Sequence, residues 1–314
     1  MLKLKYLVEN MELARFALSH WHHDEETLED RMRWFRISSN AVYPFDRDGL
    51  LCFLRLAPTE EKDSLELLGE IDFLLFLNRH SYPAMRPIPA ENNEMLLLLD
   101  TPWGKWYASA FESVPGRPLD RIPMTAELAA EYGAALGKLH FLSAQYHAPL
   151  RRRNEQDVLK WAEQVLRRHA VPAQILDNLK NTSQRLAQLP HIRTLYGLIH
   201  YDFEPDNVFW DGEKCSAIDF EDGMLHFYAA DVVQALDELP TAHHAAFLNG
   251  YHMTCPEIQA DPCIFPLMRR FRNLFSYARL LHCLSEKPAA EPAWMPALVT
   301  HLEKKLHELE KELC

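Results

Sequence analysis

No stretch of this sequence stays apolar for long. The longest purely aliphatic run lies near Met95–Leu99, far short of the roughly 20 residues an apolar helix needs to cross a bilayer. At the amino terminus, MLKLKYLVENMELARF is broken by Glu9 and Glu12 before a signal-peptide core can form, so none is expected. Cysteine is sparse and unpatterned. Cys52, Cys215, Cys255, Cys263, Cys283 and Cys314 contain no Cys-x-x-Cys pair, and a chain of 314 residues needs no disulfide staples. Reduced thiols in a cytoplasmic protein are the expectation. Basic charge is in deficit: the formal net charge of −12 speaks against a nucleic-acid binder. It favours a cationic substrate only in a general way. Repeats, Gly/Ser linkers and low-complexity tracts are missing as well. What is present is 48% hydrophobic and 25% charged, the profile of a globular protein with a substantial core. Its length suits one large domain or two moderate ones.

The first forty residues read as helical, with Leu13, Phe16 and Ala17 on one face. The texture then changes. In NAVYPFDRDGLLCFLRLAP, Asp48-Gly49 separates two β-prone runs, which predicts a hairpin. Ser64 is placed to cap a helix carrying Leu67, Leu68, Ile71, Leu74, Leu75 and Asn78 at helical spacing. EMLLLLD and KWYASAFES follow as strands. Pro115–Asp120 (PGRPLD) punctuates the chain and marks a junction. Beyond it, helices are expected from Thr125, over 158–168, 174–189 and 265–284, and over 296–313. The last carries a stripe of Leu298, Leu302, Leu306, Leu309 and Leu313, read as a packed amphipathic face.

The densest polar cluster is LIHYDFEPDNVFW, Leu198 to Trp210. Asp211-Gly212 follows, then Cys-Ser-Ala-Ile and Asp219-Phe220, so a second hairpin is expected here. Antiparallel pairing brings the outer ends of its strands together, and those ends carry Asn207 and Asp219. Two oxygen ligands at the end of a rigid hairpin suit Mg²⁺, which often takes only one or two protein carboxylates beside waters and substrate phosphates. Asp202, just upstream, is then free to accept a proton from an attacking hydroxyl. This division of labour fits phosphoryl transfer, which depends mostly on positioning and charge neutralisation.

His200-x-Asp202-x-x-x-x-Asn207, followed by the hairpin and Asp219-Phe220, resembles the catalytic-loop and metal-loop pattern of protein kinases. The surrounding chain, from about Ser38 to Tyr251, resembles the aminoglycoside phosphotransferase and choline kinase-like family more closely. The similar elements are YGAALGKLH (Tyr132–His140), IDFEDGMLHFYAADVVQAL (Ile218–Leu236) and FLNGY (Phe247–Tyr251). The resemblance implies an α+β, protein kinase-like two-lobe fold. A small β-rich N-lobe would span 1–114 and a larger, mainly helical C-lobe 115–314, with ATP between them. It implies Asp202 as the catalytic base, Asn207 and Asp219 as Mg²⁺ ligands, His200 as a buttress, and Asp231 as a structural group bonded to the catalytic loop. It also implies that Arg55 contacts nucleotide phosphates with Glu70 as its ion-pair partner. Ser38–Tyr43, with Ser39 and Asn40, would be the phosphate-covering turn. Ser109–Ser113, with Phe111 at its middle, would be the hinge that holds adenine through backbone groups.

The expected activity is transfer of the γ-phosphate of ATP to a hydroxyl of a small molecule: an aminoglycoside, choline, homoserine or a sugar-like acceptor. Two other readings are a Ser/Thr protein kinase of the same fold and a non-catalytic nucleotide-binding or structural protein. Two departures from the pattern matter. The phosphate turn has no glycine for close backbone approach, so Ser and Asn side chains are the expected donors. Glu221 stands where protein kinases carry the Gly of Asp-Phe-Gly, which weakens the protein-kinase reading. Glu221 and Asp222 are candidates for a further metal contact or a cationic substrate, and Glu204 and Asp206 stay unassigned. Arg151–Arg153 reads as a solvated loop edge. His20, His22, His23 and Asp24 lack one-face spacing and read as exposed. The acceptor itself carries no signature; its pocket is expected from 157–195 and 256–284. No nucleic-acid or membrane partner is expected, and oligomeric state is left open.

Overall fold

The structure, a computed structural model, describes residues 1–258 and 260–314. Two short helices open it, α1 (Met11–Leu18) and α2 (Glu25–Met32), where a more continuous helical segment was expected. The buried stripe of α1 is Leu13, Ala14, Ala17 and Leu18. Phe16 falls roughly 130° from the centre of that stripe at ~100° per residue, and it is exposed.

Six antiparallel strands follow: β1 (Arg36–Ile37), β2 (Ala41–Arg47), β3 (Leu50–Pro58), β4 (Arg86–Ile88), β5 (Leu97–Thr101) and β6 (Gly104–Glu112). Their order is β1-β2-β3-β6-β4, with β5 also on β6. Asp48 and Gly49 both take positive φ, +52° and +76°, and close the β2–β3 hairpin in two residues. The Asp24 carboxylate accepts from both of their N–H groups and so braces this turn.

Between β3 and β4 runs α3 (Ser64–Arg79). Its cap is Asp63, whose carboxylate accepts from Leu65 N at 2.8 Å. Ser64 is the first helical residue and not the cap, because the carboxylate one position earlier takes the free donor. The inward side chains of α3, Ile71, Phe73, Leu74 and Leu77, join the large hydrophobic core of the second half of the chain. The sheet, α1 and α2 form a separate core around Tyr43, Phe45, Leu54 and Leu56. Packing therefore crosses position 114: α3 and Phe111 belong with the helical part.

That part comprises β7 (Arg117–Pro118), α4 (Ala126–Ser143), α5 (Glu155–Arg168), α6 (Ala173–Gln188), β8 (Tyr196–Ile199), β9 (Val208–Trp210), β10 (Cys215–Ala217) and β11 (Met224–Phe227). It ends with α7 (Ala229–Glu238), α8 (His244–Thr254), α9 (Phe265–Leu284) and α10 (Met295–Leu313). Thr125 caps α4 through Leu128 N at 3.2 Å. Helices α4 and α8 meet backbone to backbone. A Cβ on Gly133 would lie 1.9 Å from the Phe247 carbonyl oxygen, and one on Gly250 1.9 Å from that of Ala130. Only glycine allows this approach. On α10, Val299, Leu302 and Leu313 are buried against the core. Among the described residues, no helix is long and apolar enough to cross a membrane.

His226 on β11 is fully buried beside Phe271, with neither ring nitrogen hydrogen-bonded among the described residues. Burial lowers its pKa to about 4. The unfolded chain binds this proton near pH 6.5 and the fold refuses it until about pH 4. Stability is therefore fully present above pH 6.5 and is lost as pH falls toward 4, by up to about 3 kcal/mol. Melting temperatures measured between pH 7 and 4 should fall less steeply for His226→Leu than for the wild type. Parallel curves would remove His226 from the acid response.

Candidate active site

The loop from His200 to Asn207 connects β8 to β9. Its hairpin partner β10 returns in register, with Trp210 opposite Cys215 and Val208 opposite Ala217. The turn occupies Asp211–Lys214 and is longer than the two-residue kind. The Asp211 carboxylate accepts from Glu213 N and Lys214 N, both at 2.9 Å, and Gly212 takes φ +106°. Ile218 N donates to Asn207 O at 3.0 Å, so Asn207 and Asp219 flank the open end.

Asp231, at the start of α7 and wholly buried, holds the loop. Its two oxygens accept from His200 N at 2.9 Å and Tyr201 N at 2.8 Å. His140 Nε2 of α4 lies 3.1 Å from it, and His140 Nδ1 lies 2.8 Å from Tyr251 Oη of α8. Tyr201 takes φ +67°, a left-handed conformation costing of order 1–2 kcal/mol for a side-chain-bearing residue. Asp202 N donates to His200 Nδ1 at 3.2 Å, so the ring proton sits on Nε2, which donates to Ile218 O at 2.9 Å. Burial lowers the His200 pKa, which keeps this ring neutral and in one tautomer.

Asn207 Nδ2 donates to Asp202 O at 3.0 Å and to Asp202 Oδ2 at 2.8 Å, which leaves Asn207 Oδ1 as the uncommitted oxygen. Asp219 takes φ +60°, and its N–H meets Met85 Sδ at 3.3 Å. Its carboxylate accepts no protein hydrogen bond among the described residues. Burial, followed by the charges of Asp222, Glu204 and Asp219, raises the Asp202 pKa well above the usual carboxylate range. Burial and Glu70 raise that of Asp219, opposed by Arg55. The residues present thus fit a divalent cation: hard oxygen donors, Asn207 buried and Asp202 and Asp219 half-buried, with negative charge in excess.

Arg55 on β3 and Glu70 on α3 form a two-bond ion pair of 2.9 and 2.6 Å. With side-chain exposures of 6% and 1%, it is no surface pair. The guanidinium also lies 4.7 Å from the centroid of the Phe111 ring. Phe111 itself is inside the sheet, paired with Phe53 on one side and Pro87 on the other. Ser113 N still bonds Leu51 O at 3.0 Å, so the chain leaves the ladder only after Ser113.

The turn of Ser38, Ser39 and Asn40 closes through Ser38 N to Asn40 O at 2.9 Å. The Asn40 amide donates to Glu221, which also pairs with Lys62. Arg279 of α9 donates to Asp222 at 2.6 Å and to Ser39 Oγ at 3.3 Å, and Arg153 donates to Asp222 at 3.1 Å. Burial alone would raise the Asp222 pKa, but Arg279, Arg153 and Lys62 hold it well below the usual range. Glu221 and Asp222 are therefore matched by the protein's own cations. Glu204 accepts from Gln234 at 2.7 Å, and Asp206 is exposed.

The Arg151–Arg153 run is not a solvated edge beyond its first member. Arg152 is buried and donates to Gly223 O at 2.9 Å, and Arg153 N donates to Glu66 at 2.9 Å. Arg152 and Arg153 were read from the sequence only as part of that solvated run, and Lys62 and Arg279 were not singled out at all. For Arg279 a signal existed: it continues the Phe271–Phe275 stripe at i+4 spacing, a charge in an apolar frame. A cavity of about 390 Å³ opens beside Glu221 and Asp222, with Asp157 and Trp161 of α5 on one wall and Phe275 and His282 of α9 on another.

With this geometry, the chain belongs to the APH phosphotransferase enzyme family, whose family model matches residues 38–256. It is a phosphotransferase with an alcohol group as acceptor. Amicoumacin kinase of Bacillus subtilis (strain 168) is 26% identical over 277 residues, which cover 81% of this chain and 80% of that protein. Homoserine kinase of Caulobacter vibrioides (strain NA1000 / CB15N) is 31% identical over 214 residues, 64% of this chain and 65% of that one. Among solved structures, amicoumacin kinase hAmiN in complex with AMP-PNP, Ca²⁺ and Ami has a TM-score of 0.75 at 21% identity, covering 97% of this chain and 94% of that one. A microcompartment-associated aminopropanol kinase has a TM-score of 0.70 at 19% identity, covering 97% and 98%. These likenesses show the fold, a mixed helix-and-sheet kinase-like architecture.

Asp231→Ala would leave two buried N–H groups and His140 without their acceptor. Urea unfolding should register a loss of about 3 kcal/mol or more. A loss below about 1 kcal/mol would show that the loop does not depend on this carboxylate.

Proposed function

We propose that this protein transfers the γ-phosphate of ATP, as its Mg²⁺ complex, to a hydroxyl of a small molecule in the cytoplasm. The observation that carries the reading is the trio at the open hairpin: Asn207 clamps Asp202 through its amide nitrogen, while among the described residues nothing donates to Asn207 Oδ1 or the Asp219 carboxylate. The acceptor hydroxyl approaches Asp202, which orients it and takes its proton as the oxygen attacks. Asn207 and Asp219 would hold Mg²⁺, which supplies charge neutralisation on the phosphates. Arg55, kept in place by Glu70, steadies those phosphates from the sheet. Ser39 and Asn40 cover them, and the Phe111 ring packs against Arg55 at the nucleotide side. In this reading 1–114 acts as the N-lobe and 115–314 as the C-lobe, with ATP between.

Several findings support it. A solved neighbour of the same fold is in complex with AMP-PNP and Ca²⁺. Relatives act on small molecules by name: amicoumacin, homoserine and aminopropanol kinases. The cavity walled by α5 and α9, about 390 Å³ and bordered by Asp222 and Arg279, has the size for a compact acceptor such as an aminoglycoside, choline, homoserine or sugar.

ADP release with Mg-ATP and a panel of these acceptors tests the proposal. Wild-type protein that neither binds Mg-ATP nor turns over any acceptor would sink it. Asp202→Asn should lower the rate by about 10²–10⁴-fold and change nucleotide affinity little. A near-wild-type rate would remove Asp202 from the chemistry. Asp219→Ala should raise the Mg²⁺ concentration needed for nucleotide binding, and an unchanged requirement would take it out of the metal site.

A further inference from the structure

We infer that Arg279 is the cation that meets the transferring phosphoryl group. This rests on the reading above, in which Asp202 and the Asn207–Asp219 pair face the reacting groups. Arg279 belongs to α9, deep in the helical half of the sequence. Yet one arm of its guanidinium reaches Ser39 Oγ in the phosphate turn at 3.3 Å, and the other reaches Asp222, three residues past Asp219, at 2.6 Å. One planar cation thus spans the turn above the cleft and the loop below it.

The other cations nearby reach only one side of this gap. Arg55 gives both terminal nitrogens to Glu70 and has a 6% exposed side chain. Lys62 is held by Glu221 and Arg153 by Asp222, and among the described residues neither bonds the Ser39 side chain. Arg279 alone among these four joins the Ser39 side chain to Asp222, and its side chain is 21% exposed, so its remaining N–H donors face the space between turn and loop. Phe275 lies under its guanidinium, 5.3 Å from ring centroid to Cζ, and restricts its orientation. The arrangement answers a deficit seen in the sequence. A turn of Ser38, Ser39 and Asn40 has no glycine to bring backbone amides close to phosphate, and a guanidinium delivered from α9 supplies donors and charge at that place.

In the transfer itself, the bond from the γ-phosphorus to the bridging oxygen breaks with its electron pair leaving on ADP. A new bond forms to the acceptor oxygen, whose proton goes to Asp202. Arg279 forms no bond and gives up no proton; it stabilises the charge on the non-bridging oxygens. The competing account is a plain tie between α9 and the loop through Asp222.

Calorimetric affinities for Mg-ADP and a Mg-bound non-hydrolysable ATP analogue separate the two. Arg279→Ala should weaken the triphosphate roughly tenfold or more and ADP by less than about threefold, with partial recovery in Arg279→Lys. Asp222→Asn, which breaks the same tie, should keep the wild-type preference for the triphosphate. Parallel losses for both nucleotides, equal effects of the two substitutions, or no change overturn the inference and leave the kinase reading standing. A defect confined to the KM of the acceptor overturns it too, assigning Arg279 to an anionic group of that substrate. Wild-type protein that binds neither nucleotide overturns the kinase reading and this inference together. Should Arg279→Ala not fold, the ratio of the two affinities in Arg279→Lys decides by the same criteria.

Discussion

A single buried carboxylate organises the candidate site. Asp231 accepts from two consecutive backbone N–H groups, of His200 and Tyr201, and meets His140 on its remaining flank. Without such an acceptor, the left-handed backbone at Tyr201 would combine conformational cost with two unmet donors in a dry interior. With it, the following residue, Asp202, emerges in one direction. His200 then transmits the same constraint to the other strand end through Ile218 O, beside Asp219. The base candidate and the metal-ligand candidate are thus aimed by one anchor, although they stand on different strands.

The second constraint is the Arg55–Glu70 pair. Burying both charges is costly, and only near-ideal two-bond geometry offsets it. That geometry requires α3 to stay against β3, and the helical half holds α3 from behind. Tyr146 donates to Asp72 at 2.6 Å, Arg153 N to Glu66 at 2.9 Å, and Arg152 lies against Gly69. The ion pair between β3 and α3 is therefore set by residues far along the chain. This explains why the hydrophobic packing disregards the junction near Pro115.

Legibility in the sequence followed the range of the interaction. The Asp48-Gly49 turn, the Thr125 cap and the strand–turn–strand run through Asp219 are decided by neighbours within a few positions, and their residues announce them. The cap of α3 was placed one residue late, at Ser64, because both its side chain and that of Asp63 can accept and only the backbone conformation decides. Phe16 misled because three-residue spacing from Leu13 marks a shared face only if the stripe is centred between them. The second hairpin was visible, but its turn is held by the Asp211 carboxylate and not by the two-residue geometry the Asp-Gly pair suggests. Lys62, Arg152, Arg153 and Arg279 stayed hidden for another reason. Each finds its carboxylate or carbonyl across more than 50 positions, and a charge run carries no record of such a partner.

The contact between α4 and α8 has a mechanical meaning. Side chains between helices act as a compliant layer, since rotamers shift to absorb small displacements. At Gly133 and Gly250 that layer is missing, and peptide planes rest on peptide planes. His140 leaves the first of these helices and Tyr251 the second, and the two meet above Asp231. The working loop is thereby referenced to a hard stop between two main chains, whose position no rotamer change can adjust.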